Sequence, residues 1–196
     1  MKTLGLIGGM SWESTTTYYQ EINRRVRDVL GDLHSAECIV FSFGFAKIEA
    51  LQHVGKWDEA GLLPDDSGKR LALAGAEGIV LCTNTMHFVS HGMETAAGLP
   101  LIHIVDPTAE AILKAGYKLV GLLGTRFTME KDFYKSRLAE KFNLEVVVPV
   151  DKDNYTVHKI IYKELYETQN ELPIFDTARI HAIAAADWAM EDTKEQ

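Results

Sequence analysis

The side chains with most chemistry to offer fall in one short stretch, Cys82-Thr83-Asn84-Thr85-Met86-His87. It follows the apolar run Gly78-Ile79-Val80-Leu81 without a break. A short apolar run bounded by polar turn formers reads as a buried strand. In an open parallel sheet, ligands collect just beyond the carboxyl ends of such strands. Two threonine hydroxyls, a carboxamide and the turn's backbone N–H groups suit a small carboxylate. The same residues also suit an ordinary strand-to-helix turn capped by Asn84, and at this point both readings stand.

A second stretch has related character. Gly8-Gly9-Met10-Ser11-Trp12-Glu13-Ser14 follows the apolar run Leu4-Gly5-Leu6-Ile7. The glycines allow a tight turn, and Ser11 or Ser14 can cap the helix that continues through Tyr18, Tyr19, Ile22 and Val26. A glycine turn opening a helix N-terminus favours an anionic group. The glycines at 5, 8 and 9 do not match the dinucleotide fingerprint, and the turn has no P-loop lysine. A small anion fits this turn better than a nucleotide.

The elements that must position these stretches alternate along the chain. Strands are expected at residues 3–7, 37–43, 78–82, 100–104, 117–123 and 144–148. Beyond the helix through Tyr18, Tyr19, Ile22 and Val26, helices are expected in the latter part of 57–75 with Leu71, Leu73 and Ala74 inward, at 87–97, 106–115, 128–142 and 157–166. Residues 48–55, carrying Gln52, read as a short helix or loop over the same face. Pro64-Asp65-Asp66-Ser67-Gly68 reads as an interruption, either a turn or a helix start. Such alternation means α/β architecture with parallel sheets. The strand–glycine–helix unit appears at Leu4 and again at Leu119, so the chain reads as two related halves. The halves are 1–115, with 178–196 packing back on it, and 116–177.

The duplication breaks in the second half. Leu99-Pro100-Leu101-Ile102-His103, with Asp106-Pro107-Thr108-Ala109, finds an echo in Leu172-Pro173-Ile174-Phe175-Asp176-Thr177-Ala178. The intervening helix and apolar strand of the first half have no counterpart there. The second lobe is therefore expected to lack a helix and a strand.

Composition bounds the rest. The 196 residues are 46% hydrophobic and 24% charged, the profile of a globular chain with a sizeable core. A net charge of −8 argues against general affinity for nucleic acid or anionic membrane. The two cysteines, Cys38 and Cys82, lie in strand-like runs and suit a reducing cytoplasm rather than a disulfide framework or zinc site. Met1-Lys2-Thr3 leads directly into a strand, so no signal peptide is expected.

On Gly8-Gly9-Met10-Ser11-Trp12-Glu13-Ser14-Thr15, Thr83-Asn84-Thr85-Met86-His87, Leu123-Gly124-Thr125 and Pro173-Ile174-Phe175-Asp176-Thr177, the chain resembles the aspartate/glutamate racemase superfamily. These are cofactor-independent amino-acid racemases of two pseudo-symmetric α/β lobes. The resemblance is strongest to the subgroup in which threonine replaces the first-lobe cysteine. It implies that Thr83 holds the first-lobe acid/base position, and that Met10, Gln52, Asn84 and Thr85 line the substrate site, with Thr125 contributing from the second lobe. It also implies a homodimer acting on free aspartate or glutamate. Backbone N–H groups at Met10-Ser11 and Asn84-Thr85 are the natural carboxylate donors. Cys82 alternates away from Thr83 and reads as a buried structural thiol. His87 reads as a cap or brace for its turn, and His103 and His181 as structural. Neither a pyridoxal-lysine motif nor a metal-ligand cluster stands out, so no cofactor is expected.

One departure counts against this implication. No cysteine follows Cys82, whereas the family places its second acid/base on a second-lobe cysteine. Either the sequence as given omits a segment, or the chain carries a true internal deletion. A threonine hydroxyl alone is a poor base near neutral pH. Three readings follow: a racemase of aspartate, glutamate or a related substrate, a non-catalytic small-carboxylate binder, and a structural remnant.

Overall fold

The computed structural model describes residues 1–31, 33–163 and 174–193. The chain forms two compact units, residues 1–104 with 178–196, and residues 105–177. The first unit is built on a four-stranded parallel sheet of β1 (Leu4–Gly8), β2 (Cys38–Ser42), β3 (Gly78–Leu81) and β4 (Leu101–Ile102), in the order β2-β1-β3-β4. Helices α1 (Trp12–Leu30), α2 (Phe45–His53), α3 (Trp57–Leu73) and α4 (Met93–Ala97) fall between the strands. The C-terminal helix of the described chain, α9 (Thr177–Ala189), belongs to this unit from Ala178 onward. The second unit holds α5 (Val105–Lys114), β5 (Leu119–Gly121), α6 (Arg126–Glu130), α7 (Asp132–Phe142), β6 (Glu145–Val147) and α8 (Asp151–Lys163), with β5 and β6 paired in parallel.

β1 and β3 are buried along their whole length, as strands covered on both faces should be. One layer of core joins Leu4, Leu6, Val80 and Cys82 to Tyr18, Ile22 and Val26 of α1 and to Ala182, Ala185, Ala186 and Ala189 of α9. The other joins Ile7, Ile79 and Leu81 to Ile48, Ala60, Leu71, Met86 and Met93. Alternate residues of the same strands thus face the two layers. α9 contributes an alanine face to the first of these layers. His181 lies at its centre, fully buried, with Tyr18 Oη 2.8 Å from Nδ1 and the Ile102 carbonyl against Nε2. A carbonyl only accepts, so Nε2 carries the proton and Tyr18 donates to Nδ1.

The architecture is the α/β arrangement expected, and several local expectations are corrected. α3 is one continuous helix: Pro64 lies inside it rather than marking a turn or a helix start. Its buried stripe runs Ala60, Pro64, Ser67, Gly68 and Leu71, at helical spacing. Leu73 and Ala74 fall off that stripe, and both are exposed. The helix expected over 87–97 is a 3-10 stretch, Thr85–Gly92, broken at Val89 and followed by the short α4. The helix expected over 128–142 is two, α6 and α7, separated by extended Lys131. The first unit ends at Ile104 rather than at residue 115, because α5 packs with α7. There Asp106 receives two hydrogen bonds from Arg137, at 2.6 and 2.8 Å, and one from Lys141 at 2.7 Å.

The second unit has two strands among the described residues, against four in the first. Of the expected 172–178 echo, Leu172 and Pro173 lie outside the described residues, and residues 174–176 form neither helix nor strand. Residues 164–166 of the expected helix at 157–166 also lie outside them.

Candidate functional site

The order β2-β1-β3-β4 fixes where a ligand can sit in the first unit. From β1 the chain crosses one way to β2, and β3 returns to the opposite side of β1. The loops leaving β1 and β3 therefore part in opposite directions and open a crevice at their carboxyl ends. Ile7 is the register partner of Leu81, and Cys82 N–H donates to the Ile7 carbonyl at 2.9 Å. The turn Gly8–Ser11 and the turn Cys82–Thr85 thus leave the sheet side by side. Adjacent strands lie about 4.8 Å apart, a spacing that two donor turns can bridge with one carboxylate-bearing molecule.

The β1 turn is held rigidly. Gly9 sits at φ +82°, and a Cβ there would lie 2.2 Å from the Phe43 carbonyl oxygen. Gly9 N–H donates to Thr15 Oγ1 at 2.9 Å, and that hydroxyl donates to the Ser11 carbonyl at 2.9 Å. Phe43 N–H donates to the Gly8 carbonyl at 3.0 Å and ties the end of β2 to the same turn. Ser11 is the N-cap of α1, its hydroxyl accepting from Ser14 N–H at 3.1 Å. Its side chain is engaged as a cap, which leaves the backbone of the turn as the better donor to an anion. Met10 is buried against the layer that contains Met86.

On the β3 side, Thr83 and Asn84 are half-buried and Thr85 is buried. Asn84 stands before the 3-10 stretch but forms no side-chain cap; its carbonyl accepts from His87 N–H at 3.1 Å. The cap reading of its carboxamide therefore fails. His87 is buried, with its ring 4.4 Å from that of His103 and 5.8 Å from that of His181, centroid to centroid. Gln52, on α2, is buried, and its Nε2 donates to Met86 Sδ at 3.0 Å. This link went unread in the sequence, where no periodic signal joins positions 34 residues apart. Thr125 lies in the second unit and caps α6, accepting from Thr128 N–H at 3.3 Å.

Both thiols belong to the first unit. Burial pushes Cys38 up to about 11. Cys82, fully enclosed in the core, is pushed higher still by burial, with a smaller contribution from Cys38. Neither is a thiolate at neutral pH. Among the described residues, no group of three His, Cys, Asp or Glu side chains is arranged to hold a metal ion. No helix among them is long and apolar enough to cross a membrane.

Residues 7–185 match the family described as Asp/Glu/hydantoin racemase. A candidate Asp/Glu racemase of known structure from Yersinia pestis is 44% identical, superposes with a TM-score of 0.89, and pairs 97% of this chain with 100% of that one. An aspartate racemase homologue from Pyrococcus horikoshii OT3, PH1733, is 30% identical with a TM-score of 0.83, over 96% of this chain and 99% of that one. The broad-specificity amino-acid racemase RacX of Bacillus subtilis (strain 168) is 25% identical over 163 residues, 81% of this chain and 69% of that protein.

Proposed function

The chain belongs to the Asp/Glu/hydantoin racemase family, and from that premise we propose that it interconverts the L and D forms of aspartate or glutamate by cofactor-independent α-proton transfer. The observation that carries this reading is the pairing of the Gly8–Ser11 and Cys82–Thr85 turns at the β1/β3 crevice. Backbone N–H groups of Met10, Ser11, Asn84 and Thr85 hold carboxylate oxygens. They also stabilise the charge that develops when the α-proton leaves. Gln52 adds a side-chain contact. Thr83 gives or takes the proton on one face, while a second acid/base serves the other. The protein works as a cytoplasmic homodimer with a free amino acid as its partner.

A second reading rests on the thiols. No cysteine follows Cys82, and both cysteines present are held protonated by burial. On this reading the first-unit cradle binds an acidic amino acid without exchanging its α-proton.

Proton NMR of L-aspartate and L-glutamate in heavy water separates the two. Loss of the α-proton signal with formation of the D isomer supports the racemase. Binding without exchange supports the carboxylate binder. Absence of both overturns the cradle.

A further inference from the structure

The contact between Gln52 and Met86 has a direction that chemistry fixes. A thioether sulfur accepts weakly and donates nothing, so a carboxamide facing it at 3.0 Å must turn its NH2 group toward it. Both residues are buried, Gln52 at 5% exposure and Met86 at 0%. Gln52 Oε1 has no hydrogen-bond donor among the described residues, yet it is not among the enclosed polar atoms left unsatisfied. The amide is therefore half engaged, with its nitrogen on sulfur and its oxygen reaching open space. Met86 stands two residues after Asn84, and α2 follows the carboxyl end of β2. The contact thus braces α2 against the 3-10 stretch that begins at Thr85.

We infer that Met86 is a positioning residue: its thioether sets the amide of Gln52 so that Oε1 meets a hydrogen-bond donor of the ligand, the ammonium group of an amino acid. This deepens the reading of the crevice as an amino-acid site and rests on it. An acceptor fixed here complements the N–H donors of the two turns. Together they discriminate an amino acid from a dicarboxylate of the same length, which has no ammonium group. With leucine at position 86 the packing volume is kept and the acceptor is lost. The Gln52 amide is then no longer held in one orientation.

The test has two arms. In the first, the side-chain NH2 resonances of Gln52 are assigned by their disappearance in Gln52→Leu and compared in the wild type and Met86→Leu. The expected result is a shift of that pair toward solvent-averaged values, with the remaining amide spectrum preserved. Should Met86→Leu not fold, selenomethionine labelling, which keeps the packing, is expected to move the same pair. An unmoved pair in the folded variant, or under labelling where that variant does not fold, overturns the inference. In the second arm, Met86→Leu is expected to raise KM for L-aspartate about tenfold, the usual weight of one hydrogen bond. The expected kcat stays within about twofold, and Met86→Leu adds nothing further in a Gln52→Leu background. Independent, additive effects overturn the inference. If the protein exchanges no α-proton, calorimetric affinity for L-aspartate replaces KM. The NMR arm reads the Met86–Gln52 contact whatever the protein catalyses, so failure of the racemase reading stays distinguishable.

Discussion

Replacing Gly9 with alanine tests how tightly the β1 turn is built. At φ +82° an alanine pays about 1–2 kcal/mol in backbone conformation alone. Its Cβ would also lie 2.2 Å from the Phe43 carbonyl oxygen and 2.4 Å from the Phe43 nitrogen, where ordinary contact begins at 3.4 Å. The end of β2 must therefore withdraw by more than 1 Å. That movement breaks the Phe43-to-Gly8 hydrogen bond, worth about 1 kcal/mol, and adds overpacking strain of about 1–2 kcal/mol. The sum is a loss of about 3–5 kcal/mol. Gly55 supplies the control, since its φ of +74° is similar but a Cβ there meets nothing within 4 Å. Gly55→Ala should cost only the conformational part, about 1–2 kcal/mol. Urea unfolding followed by circular dichroism measures both. Equal losses within about 0.5 kcal/mol would refute the claim that packing against β2, rather than backbone conformation alone, fixes this turn.

The other expectations concern separate parts of the molecule. Tyr18→Phe removes the hydroxyl that lies 2.8 Å from the buried Nδ1 of His181 and should cost about 1–3 kcal/mol, read as a lowered urea midpoint. Cys82→Ala should lower stability by about 1–2 kcal/mol through a small cavity. It should leave aspartate binding, measured by calorimetry, unchanged within about twofold, and a larger change would put the thiol in the site. Thr83→Ala should reduce any α-proton exchange in heavy water by about a hundredfold, the weight of a general acid/base group, while aspartate still binds. For Asp106, burial pulls the carboxyl up, but hydrogen bonds from Arg137 and Lys141 outweigh it and hold the group below its usual range. A depressed folded value means that stability is present above the unfolded value near pH 4 and is lost as pH falls through the folded one. Acid unfolding of Asp106→Asn should therefore be less pH-dependent below pH 4 than that of the wild type.

Much of the first unit was legible because its signals are local. The buried strands at Leu4 and Gly78 are short apolar runs that end in glycine or polar turns, and α1 begins at a serine cap followed by a regular apolar stripe. The second unit's shorter sheet among the described residues was legible as a break in an internal repeat. The helix calculus failed where packing overrode local preference. Pro64 reads as a breaker, yet α3 runs through it because its buried stripe continues on both sides. The 3-10 stretch after Asn84 is rich in weak helix formers (Thr85, His87, Phe88, Val89, Ser90), and its break at Val89 lies in backbone angles that an apolar pattern does not encode.

By itself, then, the sequence determined the alternation of strands and helices, the polar turns that follow β1 and β3, and the lack of any cysteine beyond Cys82. Only the tertiary structure decided that β1 and β3 are neighbours and that their turns leave the sheet together. It alone decided that the Gln52 amide faces the sulfur of Met86, 34 residues away. The physical reason is range. Periodicity and capping act over a few residues and leave a trace in order and spacing, whereas strand order and side-chain partners join residues tens of positions apart, where only packing chooses between alternatives.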